Sequence, residues 1–250
     1  MNSPGNLHGE TRQVVAIDLG AQSCRLSLVS WRAGAARLQE IHRFKNSPVQ
    51  RNGYLFWNLQ HIRAQLHAGL KKCAAAADDR IDSIGIDGWA VDYVRLGNDG
   101  RPLDDPFCYR DPRTECCPAE FWQTLPAERL YSLTGIQMLR FNTLYQLISD
   151  RKQSLDPGSG WLNLPEYFLY DLGGERVSEY TNSTHTQLVS APARAWCDEI
   201  FSAAQLDRSK APNLVMPGTV LGTLRSQLAD LPPFANCKLI APLATIRARP

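Results

Sequence analysis

Residues 14–31 read VVAIDLGAQSCRLSLVSW, two apolar runs separated by a few small and polar residues. Val, Ile and Leu dominate both runs, which predicts strands over 14–19 and 25–31 joined by a tight turn. So short a link makes the two strands antiparallel, because a parallel pair needs a long crossover. Residues 37–44 (RLQEIHRF) alternate weakly and extend the pair to a three-stranded meander. This feature excludes a Rossmann unit, in which GxGxxG follows the first strand and a helix comes next.

The chain downstream changes period. Leu59, Ile62, Leu66, Leu70 and Cys73 recur at helical spacing behind Asn58, a residue suited to an N-cap, and predict a helix to about Ala77. IDSIGID (81–87) reads as a buried strand, AVDYVRL (90–96) as another, and the NDG at 98–100 as a hairpin turn. The order β-β-β-α-β therefore emerges within the first 110 residues. Residues 113–150 read as helical with Gly135 as a C-cap, 154–160 as a loop, 161–175 as a helix ending at its glycine pair, and CKLIAPL as a short strand.

Composition narrows the function classes. A chain of 250 residues, 44% hydrophobic and 21% charged, buries a substantial core. A net charge of +2, with no dense basic patch interleaved with aromatics, argues against a nucleic-acid partner. No apolar run is long enough to span a membrane, and the first dozen residues lack the apolar segment of a signal peptide. Residues 1–12 are expected to be disordered. Seven scattered cysteines, an odd number, fit reduced thiols in a cytoplasmic protein.

Two segments carry candidate chemistry. Asp18 closes the first strand, where a carboxylate beside a tight turn suits Mg²⁺ with a nucleotide, or simply satisfies the turn amides. Ser23 and Arg25 are positioned either to donate to a phosphate or to sit exposed on the turn. In GIDGWAVDYV (85–94), Asp87 and Asp92 flank Trp89. An aromatic ring beside carboxylates holds a sugar by covering its C–H face while the acids accept hydroxyls; a strand connection with Trp89 in the core is the equal alternative. YRDPRT (109–114) suggests an ion-paired corner, and His185 in TNSTHTQL a hydrogen-bonded surface histidine. No Walker A, HExxH or GxSxG motif occurs.

Six segments nevertheless occur in one order: IDLGAQSCR, EIHRFKNSPVQRNGYLFWN, DSIGIDGWAVDYVRL, YRDPRT, TGIQMLRFNTLYQL and PEYFLYDLGGERVSEYTNSTHTQLV. Together they resemble the rhamnulokinases, members of the FGGY carbohydrate kinases. The resemblance implies an α/β, actin-like ATPase or ribonuclease-H-like domain with a β-β-β-α-β-α core and inserted helices. It also implies ATP-dependent phosphorylation of L-rhamnulose at its 1-hydroxyl, with Mg²⁺. By position, Ala21, Gln22, Ser23, Cys24 and Arg25 match the family's phosphate turn, A-S-S-G-R, and Asp18 would face the metal. Ala90 falls on the sugar-site glycine of T-W-G-V-D, with Trp89 and Asp92 beside it, while Phe141 and Asn142 are further sugar-pocket candidates.

Three departures shape the expectation. Cys24 stands where the family has glycine, so its Cβ is expected to block a positive φ or crowd the phosphate. Ala90 adds a methyl where the sugar approaches. After LIAP the family continues with H-D-T, whose aspartate is the general base, whereas this chain reads LATIRARP. The resemblance therefore implies a sugar-side domain over 13–242, an aberrant tail over 243–250, no C-terminal ATP-binding domain and negligible activity alone. The alternatives are a non-catalytic sugar-binding remnant or half of a split kinase, associating through the face that the missing domain leaves.

Overall fold

A computed structural model describes residues 12–32, 34–225 and 227–242. The expected N-terminal disorder at 1–11 and the tail at 243–250 lie outside the described residues. Arg12 already belongs to the first strand, β1 (Arg12–Leu19). β2 (Ser23–Arg32) and β3 (Ala35–Lys45) complete the antiparallel meander. A short hairpin, β4 (Val49–Arg51) and β5 (Tyr54–Phe56), precedes helix α1 (Leu59–Ala76). Asn58 caps that helix by accepting from His61 N at 2.8 Å, as its sequence predicts.

β6 (Ile81–Gly88) follows, then β7 (Tyr93–Leu96). Helices α2 (Cys117–Phe121), α3 (Ala127–Thr134) and α4 (Thr143–Lys152) come next. The helical reading of 113–150 is thus broken into pieces. Gly135 does end α3, in the left-handed region at φ 66°, where glycine carries no Cβ penalty. The helix expected over 161–175 is corrected: β8 (Gly160–Asn163) pairs with β7 before α5 (Leu164–Asp171) begins. Trp161 and Leu162 pack on both faces of that pair, so an apolar run that periodicity leaves ambiguous becomes strand.

The remainder is β9 (Val177–Glu179), α6 (Tyr180–Thr184), β10 (Val189–Ser190), β11 (Ala195–Trp196), α7 (Asp198–Ala203), β12 (Asn213–Val215), β13 (Val220–Thr223) and β14 (Lys238–Ile240). The main sheet has six strands in the order β13-β14-β6-β1-β2-β3. β1 runs parallel to β6, and β6 parallel to β14, so three strand ends converge on one edge of the sheet.

Burial alternates along β1 as strand geometry requires: Val15, Ile17 and Leu19 face a core shared with Leu26, Ile62 and Leu66. On the opposite face Val14, Ser27 and Ser83 are half-buried and Ala16 exposed. A second core, around Tyr145, Trp161, Trp196 and Phe201, consolidates the helical insertions.

Candidate functional site

The site is built where the parallel strands end. Asp18 on β1 and Asp87 on β6 are paired in register, and Trp89 N donates to Leu19 O at 3.1 Å. That bond ties the segment after β6 to the turn after β1. The turn itself depends on Gly20, since a Cβ there would lie 2.2 Å from the Ser23 carbonyl oxygen. Asn46 clamps the turn, donating through Nδ2 to Gly20 O at 3.1 Å and through its main-chain N to Gln22 O at 2.9 Å. Neither Gly20 nor Asn46 stood out in the sequence, because their partners are brought close only by strand pairing.

Along this turn Gln22 is exposed and Ala21 and Ser23 half-buried. Arg25 Nη2 reaches Asp18 Oδ2 at 2.6 Å, with both side chains about half exposed. The expectation for Cys24 is corrected. Its φ is not positive, and its side chain is fully buried in the core, the thiol lying 3.5 Å from Gly20 O. Strand alternation sends Arg25 outward and Cys24 inward, so its Cβ points into the core and not out of the turn. Burial pushes the Cys24 thiol up to about 12.

Beside the turn opens a cavity of about 560 Å³. Trp89, Ala90, Phe141 and Asn142 line it, which brings four expected residues together, and so do Tyr109, Gln137 and His185. Tyr109 and Phe141 pack with ring centroids 5.4 Å apart, and Trp89 stacks at 4.5 Å on the buried Trp57. Ala90 has a φ that any L-residue adopts, so its methyl strains nothing in the backbone. The strained residue is its neighbour: Val91 has φ 75°, an outlier for a β-branched side chain. Its carbonyl accepts from Thr143 Oγ1 at 2.7 Å and Gln146 Nε2 at 3.2 Å, bonds that hold the strained loop in place.

Asp92 is corrected from a sugar contact to a buried anchor. It is fully buried beneath the cavity. Its Oδ2 accepts from Trp57 Nε1 at 2.6 Å, Trp89 Nε1 at 2.9 Å and Tyr109 N at 3.1 Å, while Oδ1 accepts from Gln146 Nε2 at 2.9 Å. Desolvation pushes its carboxyl up to about 6 against those four donors. Asn142 lines the wall, but its Nδ2 is committed to Gln137 O at 2.9 Å and Gln187 Oε1 at 3.1 Å.

YRDPRT holds a corner, without the internal ion pairs expected of it. Arg110 stacks over Tyr109, Asp111 caps a 3₁₀ turn by accepting from Arg113 N at 2.8 Å, and Arg113 pairs with Asp150 at 2.5 Å. His185 is likewise corrected: it is a half-buried part of the cavity wall, and its ring has no hydrogen-bond partner among the described residues. Burial lowers its pKa against the pull of Asp87.

A buried cluster below this wall escaped sequence reading. Glu166 accepts from Asn182 Nδ2 at 2.9 Å and Glu179 N at 3.1 Å, and Glu179 in turn caps α6. Desolvation, together with Glu179 nearby, pushes the Glu166 carboxyl up to about 7. The one available signal was a glutamate within the apolar run WLNLPEYFLY.

Among the described residues no three His, Cys, Asp or Glu side chains are grouped to cage a metal. Asp18 is a hard oxygen donor at an accessible strand end, which fits a magnesium ion that keeps most of its waters. Nor is any described helix long and apolar enough to cross a membrane.

Comparison with known proteins agrees with this architecture. Residues 13–235 match the model of the FGGY family of carbohydrate kinases, N-terminal domain. A rhamnulokinase of Halalkalibacterium halodurans is 39% identical over 219 residues, 86% of this chain and 46% of the relative. A rhamnulokinase of Enterococcus faecalis is 39% identical over 87% of this chain and 44% of the relative. The chain thus spans about half the length of the curated relatives it matches. The solved structure of gluconate kinase from Lactobacillus acidophilus superposes with TM-score 0.84 at 16% identity, covering 94% of this chain and 48% of that one. Plasmodium falciparum glycerol kinase with ADP gives 0.80 at 15% identity over 94% and 48%. These likenesses show the actin-like fold.

Proposed function

The chain belongs to the FGGY family of carbohydrate kinases, and from that premise we propose that it forms the sugar-holding half of a cytoplasmic rhamnulokinase. That enzyme transfers the ATP γ-phosphoryl group to the 1-hydroxyl of L-rhamnulose. The observation that carries the proposal is the Trp89–Leu19 backbone bond, which sets an aromatic-walled cavity directly beside a carboxylate-bearing strand turn.

Each residue has a definite part in this reading. Trp89 and Phe141 cover the apolar faces of the ketose, Ala90 sets how closely it approaches, and Asn142 braces the wall. Asp92 fixes the indole of Trp89 from below. Main-chain groups of Ala21, Gln22, Ser23 and Cys24 run along the phosphates, with the Ser23 hydroxyl and the Arg25 guanidinium as side-chain donors. Asp18 would be the residue that holds a magnesium ion. Bound magnesium–ATP supplies the phosphoryl group and neutralises its charge, leaving the protein chiefly the tasks of positioning and electrostatic stabilisation.

No carboxylate among the described residues lines the cavity. The base that takes the hydroxyl proton, typically worth about 10²–10⁴ in rate, therefore lies outside this wall. A polypeptide of these 250 residues assayed by itself accordingly binds sugar but turns it over negligibly. Calorimetric titration with L-rhamnulose is expected to give a saturable heat in the millimolar range; no heat there overturns the sugar-site reading. A coupled ADP-release assay is expected to give no turnover, and a rate near that of a full-length kinase overturns the second statement.

A further inference from the structure

We propose that His185 is a sugar-binding residue of the cavity, exchanging hydrogen bonds with a hydroxyl of the bound ketose. The inference rests on the sugar-site reading above and adds to it a residue for which the sequence suggested only a surface role.

Four observations support it. First, the imidazole forms part of the cavity wall, and no hydrogen bond joins its ring nitrogens to another described residue, although the Asp87 carboxylate attracts the ring. Among the other polar side chains of the wall, Asn142 commits its Nδ2 to Gln137 O and Gln187 Oε1, while Gln137 and the Tyr109 hydroxyl share the wall with His185 as polar groups.

Second, the ring is presented by a rigid support. His185 N donates to Asn182 O at 3.1 Å, Thr186 Oγ1 donates to Ser183 O at 2.5 Å, and Leu144 N donates to Thr186 O at 3.0 Å. Below, Glu179 caps α6 and Glu166 holds Asn182, so two buried acids pin the turn that aims the ring. A binding group held this way loses little freedom when the ligand arrives.

Third, burial lowers the pKa of the ring from the ordinary histidine value against the pull of Asp87, which favours the neutral form, and a neutral imidazole has one donor and one acceptor. A sugar hydroxyl has both capacities too, so the two groups match in either direction.

Fourth, the rest of the wall is mainly apolar: Trp89, Val91, Ile136, Leu139 and Phe141 cover C–H surface and cannot discriminate hydroxyls. A site that rejects wrong sugars needs polar groups that are left unpaired by them.

The test compares calorimetric affinities for L-rhamnulose of the unsubstituted chain, His185→Ala and His185→Gln, with melting curves on each. Loss of one or two hydrogen bonds is expected to weaken His185→Ala about tenfold, with partial recovery in His185→Gln. Melting is expected to be unchanged, because the ring bonds to no protein group. An equal affinity in His185→Ala overturns the role of His185 and leaves the sugar site standing. Absence of binding in the unsubstituted chain overturns the sugar site and this role with it. If His185→Ala melts lower, His185→Gln decides: affinity equal to the unsubstituted chain for both L-rhamnulose and a ketose epimeric at one centre overturns the proposal, and a loss for one of them upholds it.

Discussion

Asp18 and Asp87 stand level with each other at the ends of two adjacent parallel strands, one place in register from the backbone bond that joins Trp89 to Leu19. Sixty-nine positions of chain separate them in sequence, and strand pairing removes that distance. The carboxylate edge, the turn around Gly20 and the aromatic cavity meet there and nowhere else among the described residues.

Asp18 and Asp92 are expected to respond to the same substitution with very different magnitudes. Asp18→Asn breaks only a half-exposed pair with Arg25, so stability should change by less than about 1 kcal/mol. Asp92→Asn places an amide where Oδ2 accepts from two indoles and a backbone N–H, and should cost about 2–4 kcal/mol. Urea denaturation of the two variants checks the contrast.

Stability should fall as pH rises from about 4.5 to about 7. Glu166 has its folded pKa raised to about 7, so the native state binds this proton more tightly than the unfolded chain does. The native advantage is full below the unfolded value and is lost as pH passes the folded one. Glu166→Gln is expected to flatten this slope, read from melting temperatures across the range; an unchanged slope refutes the assignment.

Cys24→Gly, which restores the family's residue, is expected to destabilise rather than repair. The side chain it removes is buried in the core between two strands, so the variant should lose about 1–3 kcal/mol. Sugar affinity should be unaffected, since Cys24 faces away from the cavity. Chemical denaturation together with calorimetry tests both halves.

Of the seven cysteines only Cys116 is exposed. A native-state titration with a disulfide reagent should therefore show one fast thiol, absent in Cys116→Ser, with the others released on unfolding. Two or more fast thiols in the native chain would contradict the packing around Cys24, Cys73 and Cys108.

Much of this architecture is legible in the sequence because local physics fixes it. The apolar alternation of 14–31 and the spacing from Leu59 to Cys73 require a meander and an amphipathic helix whatever surrounds them. Asn58 and Gly135 act as caps for equally local reasons. Trp89, Ala90, Phe141 and Asn142 were found together because motif order carried them.

What only the tertiary structure decided has one common cause, namely which groups are brought together across long stretches of chain. Residues 161–163 become strand because β7 offers them a partner. Asp92 turns from sugar contact to anchor because Trp57, Trp89, Tyr109 and Gln146 converge on it, and the carboxylate they hold is completely buried and does not line the cavity. Cys24 is harmless because the pairing of β2 with β1 and β3 turns it toward the core. His185 joins the site because two buried acids pin the turn that carries it. The sequence determined which segments are strand, helix or turn and which residue types were available. Burial and non-local hydrogen bonding, which depend on the whole fold, decided which of those residues face the cavity.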